Sequence, residues 1–153
     1  MYHIVLVEPE IPQNTGNISR TCAVTGTALH LVRPLGFSLD EKHLRRAGLD
    51  YWKDLTLYVH DSFEEIEQAY PGARFFLLTK KASLCYADAA YRDGDFLVFG
   101  KETKGLPDEL RKRRADDCRR IPMLAGQRSL NLSNTVALVL YEALRQNGFP
   151  GLS

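Results

Sequence analysis

Three short segments of this 153-residue chain carry the residue types that could do chemistry. Near the C-terminus, Arg119-Arg120-Ile121-Pro122-Met123 precedes Arg128-Ser129-Leu130-Asn131-Leu132-Ser133-Asn134. A β-like run stops at a proline, and small polar residues then gather at the mouth of a long apolar helix. The first N–H groups of a helix have no partner within it and can be offered to a ligand. Ser129, Asn131, Ser133 and Asn134 add caps and further hydrogen-bonding groups. Taken alone, the segment reads equally well as a capped helix and nothing more.

The second segment is Gly100-Lys101-Glu102-Thr103-Lys104-Gly105-Leu106-Pro107, entered from the apolar run Phe96–Phe99. Its glycine spacing imitates a P-loop, but Leu106-Pro107 stands where Lys and Ser/Thr must follow, so ATP hydrolysis is rejected. No GxGxxG follows the first strand, which removes a standard dinucleotide site. A glycine-flanked loop at a strand's C-terminal end remains, where α/β folds bind ligands and where plain surface turns also occur. The third segment, Asn14-Thr15-Gly16-Asn17-Ile18-Ser19-Arg20, opens a helix, with Gly16 allowing close backbone approach and Arg20 emerging from its start. An ordinary capped helix with a solvent-facing arginine has the same pattern. No Ser/His/Asp set and no suggestively paired carboxylates accompany these segments. His3, His30, His43 and His60 lack metal-ligand spacing, and Cys22, Cys85 and Cys118 form neither a CxxC pair nor a disulfide framework. Whatever chemistry the chain does needs neither a conventional nucleophile nor a metal.

The elements that must position these segments alternate between strand-like and helix-like runs. Ile4–Val7, Ala28–Val32, Leu55–Val59, Arg74–Thr79, Asp95–Phe99 and Arg119–Ile121 read as strands. Helices are predicted from Asn14 to Thr25 (ended by Gly26), over 40–47 from a Ser38/Glu41 capping box, and from Ser62/Glu65 to Pro71-Gly72. A weaker helical piece lies over 86–91, then helices over 107–114 and from Asn131 to Gln146, closed by Gly148. Strands spaced by helices, with few hairpin signals, predict one α/β domain with a mainly parallel six-stranded sheet flanked by helices. Length and composition fit one soluble domain with a real core. No run reaches membrane-spanning length and no signal peptide precedes the first strand, so a cytoplasmic protein is expected.

The last helix is apolar nearly all round: Val136, Ala137, Leu138, Val139, Leu140, Tyr141, Ala143 and Leu144 leave little polar face before Arg145. Such a helix must be covered on more than one side. A sheet covers one side and a second subunit would cover the other; a central helix in a larger monomer is the alternative. Net charge is +1, yet Arg111, Lys112, Arg113, Arg114, Arg119 and Arg120 cluster. Such a cluster is either a phosphate footprint or a solvated helix end.

Taken together, the three segments resemble the three motifs of the SPOUT class of S-adenosylmethionine-dependent RNA methyltransferases, and within it the SpoU branch of ribose 2′-O-methyltransferases. NTGNISR matches the first motif, FGKETKGLP the second, and RIPM with RSLNLSNTVALVLYEALRQ the third. LRRAGLDYW at 44–52, with the minimal length, resembles the branch members that modify the wobble nucleotide of tRNA, cytidine or uridine 34. The resemblance implies a C-terminal trefoil knot, which fold-level rules would not lead one to expect. It also implies an S-adenosyl-L-methionine pocket lined by Leu78, Thr79, Gly100, Glu102, Ile121, Met123, Ser129 and Leu130. S-adenosyl-L-homocysteine would be the product.

Arg20, Ser129 and Asn131 are the implied catalytic set. An arginine ordinarily has no acceptor to serve as a base, so Arg20 is read as a cation that stabilises the developing alkoxide and grips the adjacent phosphate. Ser129 and Asn131 would orient it or the ribose. A homodimer would share an anticodon stem-loop through Arg20, Lys42, Arg45, Arg46, Arg113 and Arg114. Tyr141 either stacks on a base or packs in the core. Methylation of ribosomal RNA or another tRNA position, and a non-catalytic RNA-binding module, stay open beside the wobble-nucleotide reading.

Overall fold

A computed structural model of the chain describes residues 1–40 and 52–153. Its six strands are β1 (His3–Val7), β2 (Ala28–Val32), β3 (Leu57–His60), β4 (Phe75–Leu78), β5 (Phe96–Phe99) and β6 (Cys118–Arg119). They form one sheet in the order β3-β2-β1-β5-β4-β6, and every pairing is parallel. The α/β parallel sheet expected from the alternating runs is therefore present. Its central strands are buried along nearly their whole length because helices cover both faces.

The helices are α1 (Pro12–Thr25), α2 (Phe63–Ala69), α3 (Asp108–Arg113) and α4 (Leu132–Gln146). One face of the sheet, with Ile4, Leu6, Leu29, Leu31, Leu97 and Phe99, packs on Ile18 and Cys22 of α1 and on Val136, Val139, Leu140, Ala143 and Leu144 of α4. The other face, with Val5, Val7, Phe75, Leu77 and Val98, packs on Phe63 and Ile66 of α2 and on Leu110 of α3. Helix α4 is fixed at both ends. Asn131 Oδ1 accepts from Ser133 N (2.9 Å) and Asn134 N (3.3 Å) at its start. At its end Asn147 Nδ2 donates to Tyr2 Oη (2.7 Å) and Tyr91 O (3.0 Å).

Several boundaries differ from the sequence reading. Helix α1 begins at Pro12, not Asn14, with Ile11 in the N-cap place and no side-chain cap of its own. Asn14 and Thr15 are consequently buried in its first turn. The third strand is displaced to Leu57–His60, the sixth shortens to Cys118–Arg119, and the piece over 86–91 is a single 3₁₀ turn, Tyr86–Asp88. Gly26 ends α1 in the left-handed conformation (φ 65°), and Ser62 caps α2, with Glu65 N donating to Ser62 Oγ at 3.3 Å while Glu65 Oε2 accepts from Asp61 N at 3.0 Å. The helix expected over 40–47 falls on residues outside the described ones.

Parallel register also assembles a row of histidines. Val5 pairs with His30 and Val32 with His60, so His3, His30 and His60 step diagonally across β1, β2 and β3 on one face. His3 Nδ1 lies 2.9 Å from His30 Nε2, and His30 Nδ1 lies 2.9 Å from His60 Nε2. Burial pushes His30 down to about 3 and His3 to about 4. An unfolded chain takes up these protons below about pH 6.5 whereas the native row does not, so stability present at neutral pH is lost as pH falls from 6.5 toward 3. His30 alone should account for roughly 2–3 kcal/mol of that loss by pH 4.5. Urea unfolding at pH 7 and 4.5 checks this: His30→Asn should flatten the pH dependence, and an unchanged slope would contradict it.

Candidate active site at the carboxyl edge of the sheet

Strand order reverses between β1 and β5, and the loops leaving those strands diverge there, as at the ligand crevice of open α/β sheets. The two loops are locked to each other. Glu102 Oε1 accepts from Glu10 N and Oε2 from Ile11 N, both at 2.8 Å. Glu102 thus supplies the acceptors that the entry to α1 lacks locally. In return Glu10 Oε1 accepts from Thr103 Oγ1 (2.7 Å) and Thr103 N (3.2 Å). The loop after β5 closes on itself through Gly105 N to Lys101 O (2.9 Å), with Gly105 at φ 71°. A Cβ on Gly100 would sit 2.0 Å from the Gly105 carbonyl carbon and 2.1 Å from Leu106 N, so the turn requires glycine.

The third segment joins them through amides. Asn131 Nδ2 donates to Asn14 Oδ1, and Asn14 Nδ2 donates to Glu102 Oε2, each at 3.2 Å. Three loops far apart in the chain are thereby held as one frame. Lys80 Nζ donates to Arg128 O (2.8 Å), and Arg120 donates to Lys80 O, fastening the segment before α4 to the end of β4.

This frame encloses a cavity of about 360 Å³, within the size range of small-ligand sites. Leu78, Thr79, Gly100, Glu102, Ile121, Met123, Ser129 and Leu130 all line it, together with Asn131. Leu78, Phe99, Leu106, Ile121 and Leu130 give apolar walls suited to a flat heterocycle, while Asn14, Thr79 and Thr135 add polar groups. Lys80, Lys81, Lys101, Lys104 and Arg111 also line it, whereas the one acidic lining residue among those described, Glu102, already accepts backbone hydrogen bonds. The cavity is therefore electropositive. Its lysines come from two separate loops, Lys80 and Lys81 after β4 and Lys101 and Lys104 after β5, and only the fold brings the two pairs together.

The other expected residues lie elsewhere. Arg20 is on the exposed side of α1 and does not line the cavity of its own chain. Lys42, Arg45 and Arg46 fall outside the described residues. Arg113 and Arg114, expected on RNA phosphates, lie away from the cavity and are hydrogen-bonded to Glu67 of α2. Arg113 Nη1 and Nη2 meet its two oxygens at 2.9 and 2.8 Å, and Arg114 Nε donates to Oε2 at 2.8 Å. Arg114 also meets Asp117 at 2.8 Å and lies over the Phe75 ring at 4.5 Å. These hydrogen bonds, with Arg113 the first, hold the Glu67 carboxyl below the usual carboxylate range. The pair fastens α3 to α2; its charge is compensated where it stands. Tyr141 is 43% exposed beside Phe149, so it is not a core tyrosine in the single chain. No group of three or more His, Cys, Asp or Glu among the described residues is placed to hold a metal ion.

Fold and site together define an α/β protein with a nucleoside-sized, electropositive cavity where its parallel sheet changes direction. Residues 1–141 match the model of the SpoU rRNA Methylase family, and the chain belongs to that family. The tRNA (cytidine(34)-2′-O)-methyltransferase of Methylovorus glucosotrophus is 53% identical over 152 residues, which cover 99% of each chain. A chain solved in work on 2-OH methylation of C/U34 on tRNA superposes with a TM-score of 0.90 at 48% identity, covering 96% of both. The AdoMet-bound rRNA methyltransferase of Sinorhizobium meliloti superposes with a TM-score of 0.77 at 26% identity, over 94% of this chain and 56% of that one.

Proposed function

We propose that this protein is a methyltransferase that transfers the methyl group of S-adenosylmethionine to the ribose 2′-oxygen of the wobble nucleotide, cytidine or uridine 34, of tRNA. The observation that carries the reading is the cavity. The residues that the resemblance assigns to the cofactor come from four separate stretches, and all of them line one electropositive space. Leu78, Phe99 and Leu130 would flank the adenine, with Thr79, Gly100, Ile121 and Met123 around it and Ser129 at the edge.

S-adenosylmethionine supplies a methyl group already attached to an excellent leaving group. The chain's own residues must then align the ribose oxygen and help it lose its proton. Arg20 takes the role of a cation beside the developing alkoxide. Glu102 holds the loop: both its oxygens accept backbone N–H groups, so it is not the base. Asn131 acts as a positioning residue, since its amide is engaged by the start of α4 and by Asn14. Calorimetric titration with S-adenosylhomocysteine should give one site per chain. No binding, with or without tRNA, would overturn the enzyme reading in favour of an RNA-binding module.

A homodimer belongs to the same proposal. Leu138 (37%) and Tyr141 (43%) of α4 and Val24 (57%) of α1 remain exposed, while the opposite face of α4 is fully covered. Exposed apolar surface on two adjacent helices suits a second copy of the chain. Light scattering at micromolar concentration should give twice the 17.3 kDa chain mass, and Leu138→Lys with Tyr141→Lys should halve it. A wild-type monomer that retains activity would contradict this. The dimer would also give Arg20 a second cavity to serve, and would widen the surface for an anticodon stem-loop with Lys42, Arg45 and Arg46. The C-terminal knot, one domain over 1–153 and a cytoplasmic location complete the proposal. Among the described residues no helix is long and apolar enough to cross a membrane.

A further inference from the structure

Several arginines of the chain are paired: Arg33, Arg74, Arg113, Arg114 and Arg145 each meet a carboxylate oxygen at 3.1 Å or less. Lys80, Arg120 and Arg128 differ. Lys80 Nζ donates to Arg128 O (2.8 Å), and Arg120 Nη1 donates to Lys80 O, so the three are neighbours held through carbonyls, with no carboxylate among them. The exposed Arg128 guanidinium has no hydrogen-bond or ion-pair partner among the described residues. Lys80 lines the cavity and Arg128 directly precedes Ser129, another lining residue, so the group stands at the cavity's rim. From the loop after β5, Lys104 lines the same cavity, is exposed, and makes no ion pair among the described residues. Glu10, whose carboxylate lies at that loop, is bonded to Thr103 instead.

Like charges gathered on one rim repel, and an anion brought to them offsets that repulsion. S-adenosylmethionine is not that anion: its sulfonium, ammonium and carboxylate sum to one positive charge, so a loaded cavity is more positive still. We infer that Lys80, Arg120, Arg128 and Lys104 are a seat for RNA backbone, taking the two phosphates that flank the nucleotide being methylated. The inference rests on the reading that this cavity holds the methyl donor. The ribose that accepts the methyl must then reach the cavity's mouth, and it brings a phosphate on each side. Arginine offers a phosphate its planar fork and lysine a compact point charge, so the four side chains suit two successive phosphates without reading the base between them.

Anisotropy titrations of an anticodon stem-loop against the protein loaded with S-adenosylhomocysteine test the seat. Each phosphate contact on a single strand adds about 0.7 to the slope of log K against log salt, which is roughly fivefold in affinity at about 0.1 M. Arg128→Gln and Lys104→Gln remove charges that hold no hydrogen bond among the described residues, so neither should disturb the fold. Each should weaken RNA binding by roughly fivefold and flatten the salt slope by about 0.7, with S-adenosylhomocysteine affinity by calorimetry unchanged. Arg92→Gln, which removes an exposed cation just before β5 at the opposite edge of the sheet, should bind RNA as wild type. An uncharged methylphosphonate placed 5′ or 3′ of nucleotide 34 should cost the wild type the same factor. At one of these two positions it should cost Arg128→Gln nothing further. Unchanged RNA affinity in both variants, or losses that add in full at both methylphosphonate positions, would overturn the seat. So would a fall in S-adenosylhomocysteine affinity in Arg128→Gln, which would assign that cation to the cofactor. Failure of the wild-type protein to bind S-adenosylhomocysteine would instead contradict the methyltransferase reading.

Discussion

Replacing Arg20 by alanine should reduce methyl transfer by roughly 10²–10³-fold or more, the scale expected when a preorganised charge is removed from a developing oxyanion. S-adenosylhomocysteine affinity should stay within about twofold of wild type, because Arg20 is not part of the cavity wall in its own chain. Arg20→Lys should retain slight activity, since it keeps the charge but loses the planar fork. Single-turnover assays with tRNA, set beside calorimetry, separate the two effects. A near-wild-type rate for Arg20→Ala would remove it from the mechanism. Equal loss of cofactor binding would make it a structural residue.

Gly100→Ala should have the opposite signature. The new Cβ would collide with backbone atoms of Gly105 and Leu106, at 2.0 and 2.1 Å, which no rotamer change can relieve. The loop would have to open, and Glu102 moves with it. Its bonds to Glu10 N, Ile11 N and Asn14 Nδ2 would loosen together. S-adenosylhomocysteine affinity should fall by about 100-fold or more, as expected when several ligand contacts are misplaced at once. The melting temperature should drop by several degrees, while the circular dichroism of the sheet persists. A variant that binds the cofactor product within threefold of wild type would show that the tight turn is not needed for the cavity.

The parts of this architecture that sequence made legible are those set by near neighbours. Apolar runs ending at Pro or Gly gave the central strands. Asn131 before an apolar helix, Ser62 before Glu65, and Gly26 after Thr25 all act as the caps their residue types suggest. The start of α1 was misread because its acceptor is Glu102, some ninety residues away, and no local side chain caps it. The ion pairs of Arg113 and Arg114 were hidden for a similar reason: Glu67 belongs to a different helix and reaches them only in the fold. The histidine row depends on strand order and register, which spacing along one chain does not carry.

The central claim is ribose methylation at position 34, and oligonucleotide mass spectrometry of treated tRNA tests it most directly. Purified protein, S-adenosylmethionine and tRNA lacking this modification should yield one added methyl group on the ribose of nucleotide 34, cytidine or uridine, in some tRNA species. Methylation that appears only at another tRNA position, only in ribosomal RNA, or on a base would contradict the account.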